Sequence, residues 1–443
     1  MLAGCAGVAP PPTPAAATAP APPEAWRQPL AGATAWRGFG DPLLTALVDE
    51  ALAANPDLKR ARAALAQARA QRDVVAAGQS LQLGSSASAE RNRSGGFSSN
   101  SLRAGLDASW EVDAFGALGN AGAAALASAD ASAATLDATR LSIAGETALA
   151  YLQWLGTREQ FAIARDSVAG QAATLEIVQW RVQAGLASAL DAEQARGNLE
   201  QTRAQLPALQ KALLTNEHRL AVLTGRAPAA LSTRLAAAPA ARPELPSLPA
   251  AGLPADTLRR RPDVRAAELQ ATAAWYTLAQ REAERRPAFR ISGSLGWQAA
   301  TLSTLGGPAS LVAGIAAAID WPLLDGGAAK ARVAAQQAAL DGAQAQYEGA
   351  VLTALQDVED NLVALATGGE RVALLGRADE AADAALQLAR HRYQAGLVDF
   401  TTLLDAQRSA LSTRDTLAAA RTELWLAHVR LAKALGGAWP AQE

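Results

Sequence analysis

The sequence predicts a mainly α-helical protein that also carries four β-strands and arose by tandem duplication. Three observations support this fold class. Half of the residues are hydrophobic but only 5% are aromatic, so the apolar content is mostly Ala and Leu, which favour long helices packed at close range. The stretch 102–113 alternates between apolar and polar residues, and 311–321 places Leu, Ile and Trp in the same register, as half-buried strands do. The phrase "QAGL" occurs twice, at 183–186 and 394–397.

The duplication is the strongest of these signals. Three pairs of residues are separated by the same 211 positions: Gly185 and Gly396, Trp110 and Trp321, and Gly225 and Gly436. The segment 55–68 matches 261–274 at a shorter offset of 206, so a five-residue difference in length falls between about 68 and 110. We expect a loop there.

The repeats define the domain organisation. We predict a lipobox and Pro-rich tether at 1–40, a first repeat at 41–226, an inter-repeat equatorial linker at 227–252, a second repeat at 253–437 and a C-terminal tail at 438–443.

The N-terminus resembles a bacterial lipobox. In "MLAGCAG" the small residues precede Cys5, whose thiol would carry a covalent diacylglyceryl lipid and, with it, palmitate. The basic and apolar regions that normally precede a lipobox are missing, which leaves open whether the natural start lies upstream of Met1. The alternative is a chance match in an Ala-rich chain. The Pro-rich stretch 9–23 reads as an extended tether.

Each repeat is predicted to begin with a helix and to continue with a β-hairpin. The helices cover 41–79 and 253–286 and start at Asp41-Pro42 and Asp256. The hairpins cover 80–113 and 288–324; their strands are predicted at 81–90, 102–113, 289–297 and 311–321, with loops at 92–101 and 302–310.

The strands have features of a membrane-spanning sheet. In "LRAGLDASWEVD" the apolar residues fall on one face and the charged residues on the other, and about 10 residues suit a tilted membrane strand. Trp110, Trp297 and Trp321 sit at strand ends, as an interfacial aromatic belt requires. Four strands cannot close a barrel, so the barrel must be shared between chains. Twelve strands from three chains is the natural solution, and eight from two would be narrow.

Long helices follow the hairpins, at 117–183 and 327–394, and shorter helices follow at 188–224 and 399–435. At 1.5 Å per residue each long helix approaches about 100 Å in length. The first and last helices of each repeat are each a little over half as long. Placed end to end, these two helices would run alongside one long helix, and together the helices would line a tube. Between them lie the tips 183–190 and 394–401. Gly185 and Gly396 suit a left-handed helix C-terminus, and Ser188 and Asp399 suit the N-caps of the next helices.

This plan resembles the outer-membrane efflux protein (TolC) family, and most closely its lipidated OprM/NodT-like branch. The resemblance covers 41–437 and rests on five stretches: "RRRPDVRAAE" (259–268), "WRVQAGLASALDAEQAR" (180–196), "RYQAGLVDFTTLLDAQRS" (392–409), "SWEVDAFG" (109–116) and "IDWPLLDGG" (319–327). It implies a homotrimer with a twelve-stranded transmembrane β-barrel, continued by a periplasmic α-helical barrel. It also implies a lipid-anchored protein of a Gram-negative outer membrane, working with a periplasmic adaptor (membrane fusion) protein and an inner-membrane RND transporter.

The resemblance implies that both tips contact the adaptor. The residues concerned are Arg181, Gly185, Leu186, Ser188, Leu190, Arg392, Gly396 and Leu397. A tight connection between two helices would explain the same turns without any partner.

A gate at the second tip is also implied, formed by Asp405, Thr401 and Asp399. Asp405 matches the family position whose carboxylates ring the closed pore, and three converging carboxylates repel one another unless they are protonated or bind a cation. Thr401 lies where some relatives have a large apolar residue. Thr402 and Val398 replace an aspartate and an arginine of the branch, so its polar latch is partly absent. The alternatives are a solvated face for Asp405 and helix capping for Asp399.

The predicted function is passive export of drugs or other small toxic molecules, as in multidrug resistance. A duct for type I protein secretion or metal-ion efflux is an alternative, and a non-transporting trimeric lipid-anchored stalk is another. The net charge of −2 argues against a nucleic-acid partner. His218, His391 and His428 are dispersed, so no metal site is predicted. Because no Walker loop, nucleophile elbow or carboxylate dyad is present in a supporting context, neither enzyme activity nor a cofactor beyond the lipid is predicted.

Overall fold

A computed structural model describes residues 33–238, 243–245 and 261–439 of the chain. The predicted lipidation site Cys5, the parts 239–242 and 246–252 of the predicted linker, and the helix start Asp256 lie outside the described residues. The elements follow in this order: β1 (Ala33–Thr34), α1 (Pro42–Ala54), α2 (Pro56–Gly78), β2 (Gln82–Ser94), β3 (Phe97–Val112), α3 (Ala117–Gln183), α4 (Ala189–Arg203), α5 (Gln205–Leu223), α6 (Ser232–Ala236), α7 (Pro262–Ala283), β4 (Ala288–Ala299), β5 (Leu311–Asp320), α8 (Ala328–Gln394), α9 (Phe400–Ala434) and β6 (Ala438–Trp439).

The long helices α3 and α8 each contain 67 residues, and their bounds agree with the predicted ones to within one residue. Two of the other predicted helices are broken in the structure. The helix predicted at 41–79 is interrupted at Asn55 (φ −56°, ψ 132°), because the proline that follows disfavours helical geometry in the residue before it. The helix predicted at 188–224 is interrupted at Ala204, because the ring of Pro207 would clash with the carbonyl four residues earlier.

The side chain of Asn55 provides hydrogen bonds to the backbone at the first break. Its amide nitrogen donates a hydrogen bond of 2.9 Å to the carbonyl of Leu223, and its amide oxygen accepts from the backbone N–H groups of Asp57 and Leu58. The side chain is buried, so these contacts satisfy polar groups that would otherwise be costly. The break therefore also ties α2 to the end of α5.

The first hairpin corrects the prediction of a loop at 92–101. Strands β2 and β3 stay paired up to Ser94 and Phe97, and only two residues turn between them. Gly95 (φ 58°) and Gly96 (φ 88°) both have positive φ, as the tight two-residue hairpin turn requires. The second hairpin is different, since 11 residues separate β4 from β5 and include two short 3₁₀ turns.

Two compact units are present, and each draws on both repeats. The described part of the first unit comprises 61–136 and 262–351. It contains one antiparallel sheet in the order β2-β3-β4-β5, so β2 and β5 are its edges. The helices of this unit join the sheet opposite to the hairpin turns. There the ring of Phe115 lies 6.2 Å from that of Phe289, and the guanidinium of Arg286 lies over Phe115 at 5.3 Å.

The second unit comprises the described residues of 21–60, 137–261 and 352–443. Its best-buried side chains include Leu44, Leu47, Tyr151, Leu220 and Leu431. Asp41 caps α1 as predicted, accepting from the N–H groups of Leu43 and Leu44, and it also accepts a 2.7 Å hydrogen bond from the hydroxyl of Tyr151. Burial and this carboxylate raise the pKa of Tyr151. The cap of α1 is thereby fixed to the middle of α3.

Among the helices of the described residues, none is both long and apolar enough to cross a membrane.

Candidate functional site

The sheet has two chemically different faces. The pairing register places alternate residues of all strands on the same side. One face carries mainly apolar side chains: Leu83, Ala87, Leu102, Leu106, Trp110, Phe289, Ile291, Leu295, Trp297, Leu311, Ile315 and Ile319. We call this the apolar face. Many of its large side chains are exposed in the single chain, Ile315 to 89%.

The opposite, polar face is held together by side-chain contacts between strands. Arg103 donates a 2.9 Å hydrogen bond to the amide oxygen of Gln298. Ser86 donates one of 2.6 Å to the carboxylate of Asp107, and Glu111 lies 3.6 Å from Arg290. The charged groups of the central strands are therefore directed away from the apolar face.

Trp110 and Trp297, two of the three predicted belt tryptophans, lie on the apolar face. Trp297 of β4 pairs with Leu311, the first residue of β5. Trp321 lies ten residues after Leu311 in the chain, just beyond the end of β5. Ten residues span about 34 Å along a strand. At a tilt of about 40° this is close to 26 Å, which matches the apolar band of outer-membrane barrels. Trp110 pairs with Ile291 and lies between these two levels.

Where the two repeats meet, β3 and β4 approach closely at a pair of glycines. Gly105 and Gly296 are register partners on the polar face. A Cβ atom on Gly296 would lie 2.4 Å from the carbonyl oxygen of Ala104 and 2.6 Å from the Cα of Gly105. Since no side chain fits there, these glycines permit the contact between the repeats. This pair was not predicted from the sequence.

The two tips have the same backbone geometry. Gly185 (φ 72°) and Gly396 (φ 73°) occupy the left-handed position predicted for them. In each tip the residue after the glycine donates its N–H to a carbonyl five residues earlier: Leu186 to Arg181 at 2.7 Å, and Leu397 to Arg392 at 2.8 Å. This is the Schellman arrangement, which satisfies the last carbonyls of a helix.

Both predicted N-caps are present. Ser188 accepts from the N–H of Asp191, whose carboxylate accepts from the N–H of Ser188 in turn, forming a capping box. Asp399 accepts from both the N–H and the hydroxyl of Thr402. These hydrogen bonds lower the pKa of Asp399. Its carboxylate therefore already serves as the N-cap of α9.

A small apolar core joins the two tips. Tyr393, Phe400, Leu403 and Leu404 are buried there against Val178 and its neighbours. The rings of Tyr393 and Phe400 pack edge to face at 5.8 Å. The guanidinium of Arg181 stacks on the ring of Tyr393 at 4.6 Å and donates to the carbonyl of the same residue. Arg181, which we expected to contact a partner, is thus engaged within the chain.

Other predicted contact residues are open to solvent. Leu186, Leu190 and Leu397 are exposed to 70%, 65% and 74%, and Arg392 is exposed as well. Trp180 is exposed to 65% beside them and was not singled out from the sequence, although it is an aromatic residue in the last turn of a predicted helix. The exposed apolar side chains make the tips candidate docking surfaces.

The predicted gate residues Thr401 and Asp405 lie on the exposed side of α9, one turn apart. Leu403 and Leu404 between them are buried in the core of the tips. Within the described residues, the carboxylate of Asp405 has no hydrogen-bond or ion-pair partner. It is therefore available to a ligand or to another chain. No cluster of three or more His, Cys, Asp or Glu side chains suited to a metal ion occurs in the described ranges.

The family model for outer membrane efflux proteins matches residues 47–226 and 253–437. The chain is 32% identical to the pyoverdine export outer membrane protein OpmQ of Pseudomonas putida, with 95% of this chain and 93% of OpmQ covered. It is 29% identical to nodulation protein T of Rhizobium leguminosarum bv. viciae, with 92% and 84% covered.

The solved structure of the outer-membrane channel OprN superimposes with a TM-score of 0.89 at 32% identity, covering 96% of this chain and 98% of OprN. The predicted fold class and the resemblance to the OprM/NodT-like branch are therefore confirmed. The chain belongs to the outer membrane efflux protein family.

Proposed function

We propose that this chain is the outer-membrane exit duct of a tripartite efflux pump of the RND type, through which drugs or other small toxic molecules leave the periplasm. The observation that carries this proposal is the sheet with one apolar, Trp-bordered face and one polar face. Such a sheet fits a barrel wall between lipid and a water-filled lumen. The duct is passive, and its relative OpmQ is named for the export of pyoverdine.

The edges of the sheet support assembly as a homotrimer. Strands β2 and β5 each leave one side unpaired in the single chain. Unpaired backbone groups are costly in lipid, so β2 of one copy would pair with β5 of the next. Three copies give twelve strands, which leave room for an aqueous lumen.

The tips are proposed to dock on a periplasmic adaptor protein. Leu186, Leu190 and Leu397 present exposed apolar side chains within rigid, capped turns. Exposed leucines on an ordered turn suit a partner with an apolar groove. The adaptor would connect the duct to an inner-membrane RND transporter, which supplies the energy.

We assign the gate to Asp405, with Thr401 one turn before it. Three copies of Asp405 around a common axis would repel one another and attract cations. Asp399 is assigned to capping first, because its carboxylate already binds Thr402. A lipid on Cys5, followed by the Pro-rich tether, would add a second anchor in the outer membrane.

The test is a pair of variants on neighbouring residues of β5. Ile315 lies on the apolar face and Ala316 on the polar face, both at the middle of the strand. An arginine facing lipid at the midplane costs about 2–4 kcal/mol. We expect Ile315→Arg to abolish trimers in the outer membrane and drug resistance in a strain that lacks its own exit duct.

Ala316→Arg is the matched control, because it places the same charge in the water-filled lumen. We expect it to assemble and to restore resistance. Equal tolerance of both variants, measured by trimer yield in membrane extracts and by growth inhibition, would contradict the proposed barrel wall.

A further inference from the structure

The strand register reveals two arginines on the apolar side of the sheet. We propose that Arg91 and Arg93 form an anion site on β2 that binds the phosphate groups of glycolipids in the outer leaflet. This inference rests on the proposed function, because it requires the sheet to stand in the outer membrane with its hairpin turns outside.

The alternation along β2 fixes the side to which both arginines point. Arg91 and Arg93 are register partners of Asn100 and Ser98. The same parity places Leu83 and Ala87 of β2 on the apolar face, opposite the polar face that carries Ser86. Both guanidinium groups therefore extend from the side of the sheet that faces lipid, not from the side that faces the lumen.

Their height along the strand places them at the headgroups and not in the hydrocarbon. Ala87 pairs with Ala104, which pairs with Trp297, the belt residue nearest to the hairpin turns. Arg91 and Arg93 lie four and six residues beyond Ala87, about 14 and 20 Å along the strand. They therefore lie past the aromatic belt, where lipid phosphates and sugars are located.

The arginines of the two faces differ in their partners. On the polar face Arg103 binds Gln298 and Arg290 lies beside Glu111. In the described part of the chain, Arg91 and Arg93 have neither a hydrogen-bond nor an ion-pair partner, and both are exposed. The nearby Glu90 points to the polar face and accepts from Asn92.

A neighbouring copy would not neutralise this pair. If β5 of the next chain pairs with β2, the segment above it is 299–310, which contains no acidic residue. The positive charge at this level is thus left for a ligand from the membrane.

A phosphate on a lipid fits the site in charge and in position. A guanidinium binds phosphate with two parallel hydrogen bonds, and two arginines about 7 Å apart on one strand side can hold one multiply phosphorylated headgroup. Because the site opens to the lipid side, the ligand that we propose is a phosphate attached to a lipid and not free phosphate.

The experiment uses the full-length trimer in detergent and measures binding of bisphosphorylated lipid A by native mass spectrometry. We expect the double variant Arg91→Gln/Arg93→Gln to lose at least roughly tenfold in lipid A affinity. Chemically dephosphorylated lipid A should bind the unmodified trimer as weakly as intact lipid A binds the double variant. The control Arg103→Gln/Arg290→Gln removes the same charge from the polar face and should bind lipid A normally.

Unchanged lipid A binding by Arg91→Gln/Arg93→Gln would overturn the site, as would displacement of lipid A by millimolar inorganic phosphate. Drug resistance in the duct-deficient strain separates the two proposals. The arginine variant should restore resistance, so loss of lipid binding alone concerns the site, whereas failure of the unmodified protein to restore resistance would contradict the proposed function.

Discussion

The two tips of the chain share a backbone but differ in their side chains. Both end a 67-residue helix with a glycine at nearly the same φ, and both start the next helix with a side-chain cap. At positions separated by 211 residues, the first tip has Val182 where the second has Tyr393, and Ala189 where the second has Phe400. The large side chains of the second tip are buried in the core between the tips.

One exposed position shows the opposite distribution, whereas Leu186 and Leu397 are equivalent and both exposed. Leu190 of the first tip is exposed to 65%, and its counterpart in the second tip is the polar Thr401. Duplication thus preserved the turn, which is fixed by backbone physics, while the apolar side chains were redistributed. Under the proposed function, the first tip would mainly dock on the adaptor, whereas the second would mainly hold the tips together and carry the gate.

The largest expected effect is the loss of the core of the second tip. Phe400→Ala should destabilise the tips by about 3–5 kcal/mol, because the ring is buried and its removal leaves a cavity. Hydrogen exchange of the tip amides measures this free energy of opening. Leu397→Ala is the control and should change it by less than about 0.5 kcal/mol, since Leu397 is exposed. Similar protection in both variants would remove the distinction between a packed and an open tip.

The second-largest expected effect is a change in the affinity for the proposed adaptor. Leu190→Thr converts the first tip to the residue of the second, and it should weaken adaptor binding by roughly tenfold, as loss of an apolar contact at an interface does. The melting temperature should stay the same. Leu374→Thr removes an equally apolar, 51% exposed residue far along α8 from the tip, and it should bind the adaptor normally. Equal affinities, measured by biolayer interferometry with purified adaptor, would contradict docking through Leu190.

The shared turn predicts equal costs at both tips. Gly185→Ala and Gly396→Ala should each destabilise their turn by about 1 kcal/mol, because an alanine is strained at positive φ. Gly197→Ala is the control: this glycine is helical, has open space around it, and should become more stable by up to about 1 kcal/mol. A marked difference between Gly185 and Gly396 in thermal unfolding would show that side-chain packing, not the backbone, sets the turn.

The smallest expected change concerns the gate. Asp405→Ala should raise single-channel conductance in planar bilayers, roughly twofold, because it removes a side chain and a charge from the proposed constriction. Glu193→Ala removes an exposed carboxylate from α4, just after the first tip, where Arg196 partners it, and should leave conductance unchanged. If both variants conduct like the unmodified channel, Asp405 is not part of the constriction.

The elements that local rules decide could be predicted from the sequence. The bounds of α3 and α8, the two left-handed glycines and the caps at Ser188 and Asp399 all follow from helix geometry and capping chemistry. The breaks in the shorter helices were not predicted, although the prolines at 56 and 207 were the available signals.

Contacts between segments far apart in the chain could not be predicted from the sequence. The stacking of Arg181 on Tyr393 joins residues 212 positions apart, and no periodicity within one repeat encodes it. The same holds for Gly105 opposite Gly296, because the register of two strands from different repeats decides which residues meet. The first hairpin was predicted too short because Ser and Asn are frequent in turns, whereas here they are paired along two strands.

The equal length of α3 and α8 has an evolutionary consequence. One residue inserted into only one of the two helices would advance its tip by 1.5 Å and turn every following side chain by about 100°. That change would misplace one member of each contact between the tips, including the stack of Arg181 on Tyr393. Insertions and deletions in such a duplicated chain should therefore be accepted at the hairpin turns, where the two repeats already differ in length, or else arise in both long helices together.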